Sequence, residues 1–404
     1  MSTGETTLSG AVRSDASPVD RGRLARDLVR EVRGDVRFDD AARGAYANDA
    51  SLYRQVPIGV VAPRDADAVA AALAVCRRWS ALVLGRGSGT GLAGQSVNTG
   101  VVFDFSRHMH GIVDLDPDAG TARVQPGLIN DHLRAAAAEH DLIFAVDPAT
   151  HDRCMIGNNS CGTHSVYGGK TVDNVLELTV LAYDGTRMIL GATDDEQYQQ
   201  VLAGGGRPAE IFARLRSLRD RYADPVRERY PDIPCRVSGY NLDSLLPERG
   251  FDLTRALVGG ESSCVLVLEA VMRSLLRPRH RARLVVGYPE VITAAEHVTD
   301  LAGGDRLLAL EAFDSTVVAN LHRRGEHPPG LDDVPEGVAW LLAEYGGDTV
   351  EEAGERARAA SGCVESPAEP AVFTDLDRQS EVWEVRRSAI EYARVPGVSS
   401  GLAG

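Results

Sequence analysis

The segment Gly85-Arg-Gly-Ser-Gly-Thr-Gly-Leu-Ala-Gly-Gln-Ser96 carries five glycines in its first ten residues and follows an apolar run at 81–84. Glycines let backbone N–H groups approach an anion with no Cβ in the way, so a loop of this kind after a buried strand reads as a phosphate cradle. Gly89-Thr-Gly-Leu-Ala-Gly94 matches the spacing of a dinucleotide fingerprint, and Asp114 lies 20 residues beyond Gly94. That motif must open a helix of several turns. Here Asn98-Thr-Gly100 breaks the chain and a strand follows at once, so a Rossmann loop is excluded. No Lys-Ser/Thr pair follows, which excludes a Walker A loop as well. The competing reading is a glycine-rich turn without a ligand.

A second segment, 145–174, is dense in Gly, Asn, Ser, Thr and Cys and has little periodicity. An irregular loop of that length inside a compact domain is uncommon unless it is functional. Its neutral donors and acceptors suit a large ligand with many hydrogen-bonding edges, such as an isoalloxazine ring with a ribityl chain and a pyrophosphate. The spacing His151-x2-Cys154-x6-Cys161-x2-His164 offers zinc as an alternative, although a spacer of six is short for the two halves of a structural zinc site. Buried thiols are the plain reading of these cysteines.

These segments need elements to hold them. Leu24, Leu28 and Val32 recur at spacing four, a short amphipathic helix. A strand over 58–61 precedes a helix capped by Asp65, with Val69, Leu73 and Cys76 facing the core. Strands are expected at 81–84, 101–105, 112–115 and 122–124, a helix over 128–140, and a hairpin over 175–190 turning at Asp184-Gly185. Residues 208–228 read as a helix, and 256–259 and 265–272 as strands around a short turn. The basic stretch 277–283 reads as a loop at a domain edge. Beyond it, strands at 284–288, 307–313 and 338–345 alternate with helices at 291–302, 315–324 and 349–361, and a last helix covers 376–393. This is a second α+β domain with its own sheet.

At 404 residues the chain is long enough for two or three domains. Its net charge of −15 argues against nucleic acid or an anionic membrane as the main partner. No run of 18 uncharged apolar residues exists, so no transmembrane helix is expected. Residues 1–18 read as a disordered tail without the apolar core of a secretory signal. The six cysteines are then expected to be free thiols in a reducing cytoplasm.

Four blocks occur in a specific order: RGSGTGLAGQS (86–96), DPAT (147–150), IGNNSCG (156–162) and YGGKTVDNV (167–175). Together they resemble the PCMH-type FAD-binding domain of the vanillyl-alcohol oxidase superfamily. The chain is most similar to the D-lactate, glycolate and D-2-hydroxyglutarate dehydrogenase branch, in the form that joins this domain to an iron–sulfur module. The resemblance runs from about Tyr46 to about Arg394. It implies an α+β fold: a PCMH-type FAD-binding domain of two α+β subdomains over 19–278 (core 54–278), followed by an incomplete α+β cap domain over 279–404.

The resemblance also implies roles. Arg86, Gly87, Ser88, Gly89, Thr90 and Gly91 would wrap the pyrophosphate of a non-covalently bound FAD through their N–H groups. Gln95 and Ser96 would lie near the flavin, and Pro148 and Thr150 would flank it. Gly157, Asn158, Asn159, Gly162 and Thr163 would pass beside the ring and ribityl chain, with Ser165, Tyr167 and Gly168 completing that side. Gly260 and Glu261 stand in a turn, Gly259-Gly-Glu-Ser-Ser263, where the family has a second glycine. A Cβ there is expected to crowd the backbone near the cofactor. Arg386 would grip a substrate carboxylate, a task for the guanidinium fork. Against that stands the reading of Arg386 as a helix-surface arginine.

The implied activity is oxidation of a small D-2-hydroxy acid by hydride transfer to flavin, with a quinone, a cytochrome or an iron–sulfur module as electron acceptor. The implied setting is the cytoplasm, including the inner face of the membrane. The family's Gly-His-x-Gly-Asp-Gly-Asn-type segment, which supplies metal-binding or proton-accepting histidines, does not occur in the 404 residues, so no catalytic base is assigned. A truncated cap, completed by a complementary chain, is expected on that ground. The alternative is a flavin-binding subunit without catalysis of its own.

Overall fold

A computed structural model describes residues 19–148, 156–233, 236–237, 239–366 and 368–392. The first sheet is built from β1 (Gly34–Arg37), β2 (Gly59–Pro63), β3 (Val83–Arg86) and β4 (Val101–Asp104) in the order β1-β2-β4-β3. Strands β2, β4 and β3 are parallel, and β1 adds an antiparallel edge. All five residues of β2 and all four of β4 are buried, which is why β2 and residues 101–103 of β4 are continuous apolar runs with no alternation. Asp65 accepts a hydrogen bond from the Ala68 amide at 2.9 Å and starts the helix Ala66–Arg78. Val69, Leu73 and Cys76 of that helix pack with Leu24 and Leu28 of the helix Arg21–Glu31 over the sheet. Burial pushes the Cys76 thiol up to about 12, so it is an inert core group.

The second sheet takes β5 (Ile112–Asp116), β6 (Thr121–Val124), β8 (Val175–Ala182), β9 (Arg187–Leu190) and β10 (Val265–Arg273), with β7 (Leu142–Ile143) pairing β11 (Leu275–Leu276) beside it. The order is β5-β6-β10-β8-β9, antiparallel throughout. Strand β10 alternates: Leu266 and Leu268 join the core of the first sheet, while Ala270 and Met272 join that of the second. One strand thus ties the two subdomains together.

The third sheet comprises β12 (His280–Tyr288), β13 (Leu307–Asp314), β14 (Ala339–Gly347) and β15 (Ala371–Phe373), antiparallel in the order β13-β14-β12-β15. Helices cover both faces. The helix Val350–Ser361 packs on the face of Leu284, Val286, Leu341 and Ala343. Val382 and Val385 of the helix Leu376–Tyr392 pack on the face of Val285, Trp340 and Leu342.

Several expectations are corrected. Residues 256–259 are not a strand. The Asp252 carboxylate accepts from the Arg255 amide and turns the apolar run into the one-turn helix Leu253–Leu257. Short apolar runs do not distinguish strand from helix by periodicity. The basic stretch is not a loop to its end, because β12 begins at His280 and buries Arg283. The helix expected over 291–302 is broken at His297 into Val291–Glu296 and Val298–Ala302, with the His297 ring stacked on Tyr288 at 5.4 Å. The segment 156–174 is less irregular than expected, holding a 3-10 turn at Ile156–Asn158 and helical turns at Ser165–Gly168 and Thr171–Asn174.

Candidate active site

No helix opens after β3; residues 87–100 run as turns into β4. Arg86 shapes this loop. Its guanidinium is buried and donates to three backbone carbonyls, those of Asn48 (2.8 Å), Ser96 (2.9 Å) and Tyr46 (3.3 Å), and it lies over the Tyr46 ring. The side chain therefore ties the two ends of the loop to residues 46–48 and leaves the glycine N–H groups as the loop's free chemistry. Gly89 has φ +68°, a conformation open to glycine. A Cβ at Gly91 would stand 2.8 Å from the Gln95 side-chain oxygen and 2.9 Å from Ser96 Oγ. Gln95 accepts from the Ala93 amide, and the Ser96 amide donates to Asp49. Both residues thus hold the loop's own fold.

Three of the expected cofactor segments converge on one cavity of about 80 Å³ between the first two sheets. Arg86 and Gly87, then Gly157, then Gly260 and Glu261 line it. Two hydrogen bonds stitch the second and third segments together: the Glu261 amide donates to the Gly157 carbonyl at 3.2 Å, and Asn158 Nδ2 donates to the Glu261 carboxylate at 2.6 Å. The Ser262 hydroxyl reaches the Gly85 carbonyl at 3.3 Å and closes the ring. Burial raises the Glu261 carboxyl above its usual range, offset in part by Asn158. Glu261 (φ +46°) and Ser262 (φ +64°) at this turn both occupy the left-handed region, which is strained for residues with a Cβ.

Among the described residues, the other expected ones do not line this cavity. Asn159 is fully buried; its Oδ1 accepts from the Val172 amide, and its Nδ2 has no partner among the described residues. Gly162 presses on the backbone, where a Cβ would stand 2.1 Å from the Asp147 carbonyl oxygen and 2.5 Å from the Pro148 nitrogen. Pro148 and Thr163 are buried, and Ser165 Oγ accepts from the Gly162 amide. Tyr167 points elsewhere: its hydroxyl donates to the Leu276 carbonyl and it lines a separate groove of about 1640 Å³ between β7, β11 and the third sheet. Gly168 packs against Ala145. Thr150 lies outside the described residues, as do His151 and Cys154 of the zinc alternative. His164 turns both ring nitrogens to carboxylates, and no group of three metal-ligating side chains occurs among the described residues.

Arg386 is not at the cavity. It stands on the helix Leu376–Tyr392 and is paired with Glu311 of β13 at 2.8 Å, both about one-fifth exposed. It is therefore not a solvated surface arginine. Sequence reasoning missed the cavity's apolar wall, formed in part by Phe105, Leu178, Val265 and Val267. The alternation of β10 was the available signal, since its outer valines remain only partly buried. It also missed Asp147 and Glu344 as partners of His164.

The residues present fit a flavin dinucleotide. Glycine backbone lines a crevice a side chain would fill, a buried amide donor lacks a partner, and an apolar wall backs a polar rim. The crevice houses only part of so large a ligand; the rest has to extend along the segments that meet there.

A fold of two joined α+β subdomains and a third sheet, with this crevice between the first two, defines a flavin-binding oxidase architecture. Residues 57–191 match the FAD binding domain family, and residues 277–401 match the C-terminal domain of FAD linked oxidases. Both matched segments are thus similar to domains of FAD-linked oxidases, and these matches support FAD as the cofactor. It is 33% identical over 294 residues to D-2-hydroxyglutarate dehydrogenase of Pseudomonas putida, a match covering 71% of this chain and 29% of that protein. It is 27% identical to glycolate oxidase subunit GlcD of Bacillus subtilis, covering 90% of this chain and 68% of that protein. The chain thus spans less than a third of the length of the D-2-hydroxyglutarate dehydrogenases it matches. A solved alkyldihydroxyacetonephosphate synthase shares the fold, with a TM-score of 0.62 over 92% of this chain and 68% of that one at 13% identity. Among the described residues no helix is long and apolar enough to cross a membrane.

Proposed function

We propose that this chain is an FAD-dependent oxidoreductase that oxidises a small D-2-hydroxy acid of the lactate, glycolate or 2-hydroxyglutarate class. The observation that carries the reading is the meeting of Gly87, Gly157 and Gly260–Glu261, three segments distant in sequence, at one crevice. The names of the relatives, two of them D-2-hydroxyglutarate dehydrogenase and glycolate oxidase, support the substrate class.

Bound FAD supplies a two-electron acceptor for the hydride on the substrate's C2. The chain's own residues do the rest. The N–H groups of 86–91 hold the pyrophosphate without covalent attachment, there being no histidine in that loop. Asn159 Nδ2, buried and unpartnered, is the donor for a polar edge of the cofactor. Arg386 grips the substrate carboxylate, and Glu311 holds the guanidinium in place until a substrate arrives. Electrons leave to a quinone, a cytochrome or an iron–sulfur module.

The test is the visible spectrum of the purified chain, reconstituted with FAD and mixed anaerobically with D-lactate, glycolate and D-2-hydroxyglutarate in turn. Bleaching of the flavin band by one of them is the expected result. A flavin band that persists with all three leaves a flavin-binding subunit without catalysis of its own. Failure to take up FAD overturns the reading.

A further inference from the structure

His164 ends the segment 156–164 and meets the third sheet. Its Nδ1 lies 2.5 Å from Asp147 Oδ2, and its amide donates to the other Asp147 oxygen at 2.9 Å. Its Nε2 lies 3.4 Å from Glu344 Oε1 on β14. Glu344 is 1% exposed, and the side chains of Asp147 and His164 are about one-ninth exposed. On β12, Arg283 stands directly opposite Glu344 in the ladder and holds its other oxygen at 2.8 Å. The row runs Asp147, His164, Glu344, Arg283, and it crosses from the cofactor loop into the sheet beneath Arg386.

The geometry is that of a bridge. An imidazolium donates from both nitrogens, one to each carboxylate; a neutral imidazole can satisfy only one of them. We propose that His164 is a positioning residue, a cationic latch that locks the flavin-contacting segment 156–164 to the C-terminal sheet and so couples cofactor binding to the placement of the substrate-gripping face. This deepens the reading above and rests on it for the words flavin and substrate; the latch itself is a property of the apo chain.

The charged groups around the imidazole favour the cation. Burial opposes it, but the hydrogen bonds and charges of Asp147 and Glu344 outweigh burial and raise the imidazole to about 9. Arg134 stands 3.8 Å from Asp147, and Arg281 stands 3.7 Å from Glu344, each sharing a carboxylate with it. From β13, Glu311 is already held by Arg386. Farther along the groove, Arg277, Arg279, His280 and Arg306 are exposed to solvent and screened. The native pKa lies above the unfolded value of 6.5, so the latch is complete below pH 6.5 and is lost as pH rises through about 9.

Scanning calorimetry on the apo chain and FAD fluorescence titration test this together. Wild type should unfold in one transition at pH 6.5 and in two at pH 9.5, with at least a tenfold weaker FAD dissociation constant at the higher pH. H164N should give two transitions at both pH values. H164R, a permanent cation, should restore the single transition at pH 9.5 and remove the pH step. A single transition at both pH values in wild type and H164N, or a wild-type pH step retained in H164R, overturns the latch. Should H164N not fold, the wild-type pH series and H164R decide alone. A chain that takes up no FAD but still shows the splitting defeats the functional reading and leaves the latch standing.

Discussion

Replacing Glu344 by alanine tests the buried charge network most directly. Glu344 is 1% exposed and Arg283 5% exposed, and they are cross-strand neighbours in β12 and β14. Removing the carboxylate leaves the guanidinium in the sheet with only the Gln379 carbonyl and the Trp383 face, whose centroid is 4.3 Å away. Breaking a buried pair on one side costs about 3–5 kcal/mol, because the remaining charge stays desolvated. The surviving partners place E344A at the lower end, about 3 kcal/mol. At about 4 °C per kcal/mol for a unit of this size, the midpoint should fall by about 12 °C. Trp340 and Trp383 both flank this sheet, so tryptophan fluorescence follows its melting. E352A, which removes one of the two carboxylates paired with Arg356, is the control and should leave the midpoint nearly unchanged. The double variant R283M/E344L should recover the part of the loss that comes from the stranded Arg283, since well-packed apolar residues replace a buried pair at little cost, while the His164 contact stays broken. Acid gives the same answer by another route. Burial raises the Glu344 carboxyl, but His164, Arg283 and Arg281 outweigh it and hold it at about 2. Its contribution is therefore present above about pH 4.5 and is lost as pH falls toward 2. A loss below about 1 kcal/mol in E344A, or no recovery in the double variant, would refute the reasoning.

Three further outcomes are expected. G162A forces a Cβ into the Asp147–Pro148 backbone and should weaken FAD binding about 100-fold, the equivalent of about 3 kcal/mol, in a fluorescence titration; unchanged affinity would remove this contact from the site. S262G relieves a left-handed residue and should raise stability by about 1 kcal/mol in urea unfolding, with FAD affinity retained; a loss of stability would show the turn is not strained. R386A should raise the KM for a 2-hydroxy acid about 100-fold while the flavin spectrum and FAD affinity stay as in wild type, and a KM within about twofold would dismiss Arg386 from substrate binding.

What the sequence determined by itself was local. Gly85–Ser96 and 145–174 stand out by composition, because glycine and small polar residues suit a backbone that approaches a ligand. The helix cap at Asp65 and the apolar runs of β2 and β4 are legible because capping and burial act over a few residues. The third sheet's alternation of strands and helices was visible for the same reason, apart from the three-residue edge β15. Only the tertiary structure decided which of these features meet. Glu261 reaches Asn158 across 103 residues, and Glu344 reaches Arg283 across 61 and His164 across 180. Nothing in RPRHRAR distinguishes Arg283 from its solvated neighbours; a carboxylate opposite it in the ladder does. Likewise Arg386 has a sequence that fits a helix surface, and its enclosure comes from β13. Burial and charge pairing at this range depend on the register of one strand against another, and that register is fixed by the packing of the whole sheet.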